Sequence, residues 1–122
     1  MIDTYYFDSY ALIEIIKNNP RFKKYSECEI KLNSLNLYEL YKKLLEDNTP
    51  KIKAENYLLL LTNKLEEINY EDIINSVELK LTNPKLSIPD CFGYVMAKRL
   101  KIKFLTGDKE FRNMDNVEFV TK

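Results

Sequence analysis

Four carboxylates, Asp8, Glu39, Asp90 and Asp108, each fall where a predicted helix begins, in a chain that contains no histidine. Three of them stand close behind a strand-like or turn segment. Acids gathered at one place repel one another unless a cation neutralises them, so the grouping points to an oxygen-ligand site for a divalent metal. Such an ion activates water and stabilises the leaving oxygen when a phosphodiester bond is cut. The missing histidine removes Ser/His and Cys/His triads and imidazole acid–base chemistry, so any catalysis must rest on carboxylates.

Two of the acids follow β-prone runs directly. Thr4-Tyr5-Tyr6-Phe7 leads into Asp8-Ser9 and an amphipathic helical stretch from Ala11 to Lys17, and Ile102-Lys103-Phe104-Leu105 leads into Thr106-Gly107-Asp108. In open α/β sheets ligands collect beyond the carboxyl ends of parallel strands, where residues distant in sequence converge. Asp8 and Asp108 are therefore expected to be neighbours. Each acid also has an ordinary reading. Asn36 to Glu39 and Ser87 to Asp90 have capping-box spacing, Asp8 can be a plain N-cap, and Asp108 can form a turn beside Gly107. Capping explains each acid singly and leaves their conjunction unexplained.

The elements that must position these residues alternate along the chain. Asn18-Asn19-Pro20 stops the first helix, Glu29 to Asn33 alternates as a strand, and a helix starts at Asn36 and runs to about Glu46. Thr49-Pro50 opens a further helix with Ile52, Leu58, Leu61 and Leu65 on its apolar side, giving an αα-hairpin. Glu67 to Tyr70 reads as a short strand. A helix through Ile73, Ile74, Val77, Leu79 and Leu81 ends before Asn83-Pro84, another runs from Pro89 to Leu100, and Val117 to Val120 forms the last strand. This order predicts an α/β fold, a three-layer sandwich with a mostly parallel, short-stranded sheet and helices on both faces. With 122 residues, 45% of them hydrophobic, one domain over residues 1–122 is expected. Two glycines leave no phosphate-cradling loop, and the longest apolar run, Tyr57 to Leu61, is too short to span a membrane. A cytoplasmic protein is expected. Cys28 and Cys91 form no C-x-x-C pair and are expected as reduced thiols.

With these elements placed, the sequence resembles the PIN domain family, and within it the small single-domain VapC-like ribonuclease toxins. The resemblance rests on Phe7-Asp8-Ser9, on Asn36-Leu37-Tyr38-Glu39-Leu40, on Pro89-Asp90 with Ala97 beyond, and on Leu105-Thr106-Gly107-Asp108-Lys109-Glu110-Phe111, which looks like the family's T-x-D-x-x-F. It implies that Asp8, Glu39, Asp90 and Asp108 form the acidic quartet binding Mg²⁺ or Mn²⁺, with Ser9 and Thr106 as polar neighbours. It also implies an endoribonuclease acting on RNA, a cognate antitoxin protein as partner, and a homodimer paired through helices such as the Tyr57 to Leu65 segment. Tyr10 departs from the family, because many relatives carry a smaller residue there. The alternative is a catalytically silent PIN-like interaction module in an RNA-processing complex. Receiver and haloacid-phosphatase folds fit worse, since Asp8 is followed by Ser9-Tyr10 and not by a second acid.

Lys plus Arg and Asp plus Glu both number 19, so the molecule has no overall field to draw RNA in and any attraction must be local. Lys109 and Arg112, which follow the last acid motif, and Lys42 and Lys43, one turn beyond Glu39, are the candidate nucleic-acid-binding residues. Most of the aromatic side chains fall in strands or on apolar faces and are expected in the core, with Tyr10 and Tyr94 open.

Overall fold

The computed structural model describes residues 2–121. Strand β1 (Thr4–Phe7) is followed by helix α1 (Ser9–Ile16), a 3₁₀ segment (Pro20–Glu27), β2 (Glu29–Lys31) and helices α2 (Ser34–Glu46), α3 (Lys51–Leu61), α4 (Tyr70–Thr82) and α5 (Ile88–Leu100). The chain ends with β3 (Lys103–Thr106), a short 3₁₀ turn (Lys109–Phe111) and β4 (Val117–Phe119). All strand pairs are parallel and the order is β2-β1-β3-β4. The connections leave β1 in opposite directions, so β1 and β3 flank the topological switch point at which ligands bind in such sheets.

Both faces of the sheet are covered, as a parallel sheet requires. Phe7 and Leu105 point into one core with Leu12, Phe22, Leu40 and Leu44, while Tyr6 and Phe104 point into the other with Met96, Tyr94 and Phe111. Adjacent strand residues are thus both buried, which is why the strands read as continuous apolar runs. Gly93 lets α5 approach closely: a Cβ there would lie 2.7 Å from Phe104 Cε1 and 3.1 Å from Tyr6 Cε1. The start of α2 is fixed by Asn33, which caps the helix and also donates 2.6 Å from Nδ2 to the buried Tyr6 hydroxyl.

Several elements depart from the sequence expectation. The strand expected at Glu67 to Tyr70 is absent: Tyr70 begins α4, and the chain touches the sheet only at an isolated parallel bridge between Leu32 and Leu65. Two backbone bonds hold that bridge, Glu66 N–H to Leu32 O at 2.8 Å and Leu32 N–H to Lys64 O at 3.4 Å, too few to build a strand. Pro50, not Thr49, is the N-cap of α3, and it makes no side-chain cap bond. The apolar side of α3 divides: Tyr57, Leu58 and Leu61 pack against the core, whereas Ile52 is 76% exposed and Leu59 and Leu60 are 71% exposed. In α4 the polar face turns inward. Asp72 and Ser76 are buried, and Arg99 of α5 grips Asp72 with two bonds of 2.9 Å, leaving Ile73, Ile74, Val77 and Leu81 exposed. An ion pair with one buried member satisfies the carboxylate that this inversion carries inside.

Candidate active site

The register of β1 on β3 brings the site together. Tyr6 pairs with Phe104 and Phe7 with Leu105, so the next residues along, Asp8 and Thr106, stand side by side at the carboxyl edge. Asp8 N–H extends the ladder by one bond to Leu105 O at 3.1 Å. Its carboxylate is shared between two tasks: Oδ1 accepts from Ala11 N–H at 2.7 Å as the N-cap of α1, and Oδ2 accepts from the Thr106 hydroxyl at 2.5 Å. Thr106 Oγ1 in turn accepts from Asp108 N–H at 3.0 Å, and Asp108 Oδ1 accepts from Glu110 N–H at 3.0 Å. Capping is therefore part of what Asp8 and Asp108 do, and the same bonds hold them beside each other.

The capping account fails for Glu39. Helix α2 begins at Ser34, and its reciprocal capping box joins Asn33 to Asn36, with bonds of 3.0 and 3.1 Å. Glu39 lies further along, inside the helix, where the packing of α1 on α2 sets its carboxylate against Ser9, whose hydroxyl donates a short hydrogen bond to Oε1. For Asp90 half of the box forms. Ser87 caps α5 by accepting from Asp90 N–H at 3.2 Å, while the Asp90 side chain faces the cavity. All four acids line one cavity of about 760 Å³.

The electrostatics follow from this crowding. Asp8 is 1% exposed and Asp90 8%. Burial pushes the Asp8 carboxyl well above the usual carboxylate range, Asp90 and Glu39 push it further, and the bonds from Thr106 and Ala11 oppose the shift. Burial likewise raises Asp90 to about 7, with Glu39 and Asp108 adding to the rise and Ser87 resisting it. Two carboxylates that resist ionisation side by side are a standing demand for positive charge.

A hard divalent ion meets that demand with the donors present, all of them carboxylate or hydroxyl oxygens. Among the described residues no three acidic, histidine or cysteine side chains are gathered tightly enough to enclose an ion. The donor chemistry, oxygens only, is of the kind taken by Mg²⁺, which keeps several of its waters and uses one or two protein carboxylates. Mn²⁺ accepts the same oxygen donors.

The proposed phosphate-binding residues separate by position. Lys43 and Lys109 line the cavity. Lys42 does not: it pairs with Glu46 at 3.3 Å along the helix surface and borders a second, apolar groove between α2 and α3. Arg112 lies 5.1 Å from the Phe119 ring on β4, outside the cavity lining. The structure adds polar cavity residues that sequence reasoning did not assign to the site, among them four from the first two helical regions. Tyr10, Glu14 and Lys17 come from the α1 region, and Asp47 comes from the end of α2. Tyr10, Glu14 and Lys17 stand at i, i+4 and i+7, so helical spacing puts those three on one face, but nothing local ties that face or Asp47 to the acids.

The chain is thus a short-stranded parallel α/β sandwich with four acids at its switch point. The sequence matches the PIN domain family over residues 5–117, and the chain belongs to that family. Its fold is similar to that of a toxin–antitoxin complex from Klebsiella pneumoniae, with a TM-score of 0.71 and 18% identity over 93% of this chain and 95% of that one. It is also similar to VapBC-1 from nontypeable Haemophilus influenzae, with a TM-score of 0.69 and 18% identity over 97% of each chain. VapBC2 from Rickettsia felis, solved with a DNA fragment from its promoter, gives a TM-score of 0.67 and 16% identity over 96% of this chain and 98% of that one. No curated protein is similar enough in sequence to match.

Proposed function

We propose that this chain is a metal-dependent endoribonuclease, the toxin of a toxin–antitoxin pair, acting in the cytoplasm as one domain. The observation that carries the reading is the convergence of Asp8, Glu39, Asp90 and Asp108 on one cavity from four separate elements. Asp8, Glu39, Asp90 and Asp108 would hold Mg²⁺ or Mn²⁺. When bound, the ion supplies an activated water and charge stabilisation at the leaving oxygen. The Thr106 hydroxyl fixes the Asp8 carboxylate and the Ser9 hydroxyl fixes that of Glu39, so the donors are oriented before the substrate arrives. Lys17, Lys43 and Lys109 stand on the rim, where they can meet the phosphates flanking the bond to be cut. The family match and the toxin–antitoxin neighbours support the assignment.

Incubating the purified protein with RNA tests it. Cleavage is expected with Mg²⁺ or Mn²⁺, is expected to stop with a chelator, and should leave a 5′-phosphate and a 3′-hydroxyl, because water and not the ribose hydroxyl attacks. RNA left intact with either ion replaces this reading with the silent interaction module.

The same reading includes partners. Tyr70, Ile73, Ile74, Val77 and Leu81 are exposed along α4, and Ile52, Leu59 and Leu60 along α3. Apolar faces of this kind mark interaction surfaces, here for a second copy of the chain and for an antitoxin. Light scattering should give twice the monomer mass, and Val77→Arg or Leu60→Arg should lower it. A wild-type monomer at every concentration removes the homodimer.

A further inference from the structure

The three lysines that line the cavity are not equivalent. Lys43 and Lys109 make no ion pair with the described residues, whereas Lys17 pairs with Asp47 at 3.8 Å. The pair joins the ends of two helices: Lys17 is the C-cap of α1 and Asp47 that of α2, each fixed by a backbone N–H bond of 2.9 Å, to Ile13 O and to Lys43 O. Lysine suits a helix C-terminus, where the partial charge is negative, and aspartate does not. A residue that breaks the local rule is accounted for by what it faces, and Asp47 faces Lys17 and follows Lys43 by four positions on its own helix. Glu14, the acid nearest Lys17 on α1, is buried and accepts from Asn19 Nδ2 at 2.8 Å, which leaves Lys17 to Asp47. Six acids line the same cavity against these three lysines, so a phosphate finds few cations there and the loss of one weighs heavily.

An exposed pair of this kind adds little to stability, and both side chains are about half-exposed. Its effect falls on a third charge. A phosphate that meets Lys17 also comes close to the Asp47 carboxylate, so attraction and repulsion cancel and no counterion is released. We propose that Asp47 withholds Lys17 from the substrate, as a specificity-determining residue that leaves the phosphates of an RNA strand to Lys43 and Lys109. The inference rests on the nuclease reading for its ligand and adds to it which part of the cavity grips the strand. The part between the ends of α1 and α2 contributes no net charge, and a polyanion that fails to reach Lys43 and Lys109 gains nothing from Lys17.

The test is the salt dependence of binding to a short single-stranded RNA, measured at one low Mg²⁺ concentration on proteins that carry Asp90→Asn, so that the RNA is not consumed. The slope of log Kd against log salt counts the phosphates neutralised, at about 0.7 for each on a single strand. Asp47→Asn should steepen the slope by about 0.7 and bind several-fold tighter at low salt, because Lys17 is released. Lys17→Met alone should leave the slope unchanged, and Lys17→Met combined with Asp47→Asn should return it to its starting value. Lys43→Met should flatten it by about 0.7 whether or not Asp47 is present. With Asp90 intact, Asp47→Asn should lower KM several-fold and leave kcat alone, the mark of binding gained equally by substrate and transition state. A Lys17→Met protein that loses slope by itself has Lys17 already on a phosphate and overturns the inference, as does an Asp47→Asn slope equal to that of aspartate or one that stays steep without Lys17. Each of these leaves the nuclease reading standing. RNA bound with the expected slopes but cut by no protein with Asp90 intact overturns the nuclease reading alone, and RNA bound by no version overturns both.

Discussion

The Asp90→Asn protein is expected to fold, to bind RNA and to cut it about a hundredfold more slowly or worse, the loss typical when one electrostatic stabiliser of a transition state is removed. Asp90 is the informative position because its backbone N–H, which bonds Ser87, is kept in the variant, and an asparagine amide can still pair with the Ser87 hydroxyl that the carboxylate meets. Asp8→Asn is a harsher change. Asp8 Oδ2 accepts from Thr106, whose oxygen already accepts from Asp108 N–H, so an amide nitrogen at that place would disturb three residues at once. Circular dichroism and gel-based cleavage, run on the same Asp90→Asn preparation, separate the two effects. A folded Asp90→Asn protein that cuts at the wild-type rate removes the carboxylate from the chemistry.

The second large effect concerns stability without metal. Asp90 is raised to about 7 and Asp8 is raised in the same direction, so between the usual carboxylate range and about pH 7 the folded protein holds protons that the unfolded chain has released. The state that binds more protons is favoured by acid, so metal-free stability should rise as the pH is lowered from 8 to 5. The gain is on the order of a few kcal/mol, or a melting temperature higher by roughly 5–10 °C. Mn²⁺ or Mg²⁺ should oppose this trend. At a thousand times its dissociation constant an ion that binds only the folded state adds about 4 kcal/mol. The addition should be largest at pH 8, where no proton competes for the carboxylates. Asp90→Asn should flatten the pH dependence and melt higher than wild type at pH 8 in the absence of metal. A melting temperature indifferent both to pH over this range and to millimolar Mn²⁺ would show that the acids neither crowd one another nor hold an ion.

What the sequence disclosed of the site was the part encoded locally. An acid directly after a β-prone run sits at a strand end whatever else the chain does, so Asp8 and Asp108 were legible, with Thr106 between the second run and its acid. Glu39 was legible as an acid near the start of a helix, but its capping partner was misjudged because Asn33 lies earlier and competes successfully for the same helix end. The 3₁₀ segment from Pro20 to Glu27 was not anticipated: its two core residues, Phe22 and Tyr25, are spaced three apart in an otherwise polar stretch. The inward polar face of α4 was also hidden, since the burial of Asp72 depends on Arg99, which arrives from a different helix. Lys17 and Asp47 joined the cavity through the packing of α1 on α2, a contact that no local pattern encodes.

The central position of β1 has a consequence for the order of events during synthesis. Asp8 leaves the ribosome well before its partner Thr106, 98 residues downstream, and β1 stays unpaired along one edge until β3 has emerged. Pairing over such a separation must wait for the intervening chain, and slow long-range closure of this kind dominates the folding time of parallel sheets. Every shorter nascent chain therefore carries an incomplete set of acids without the strand that gathers them.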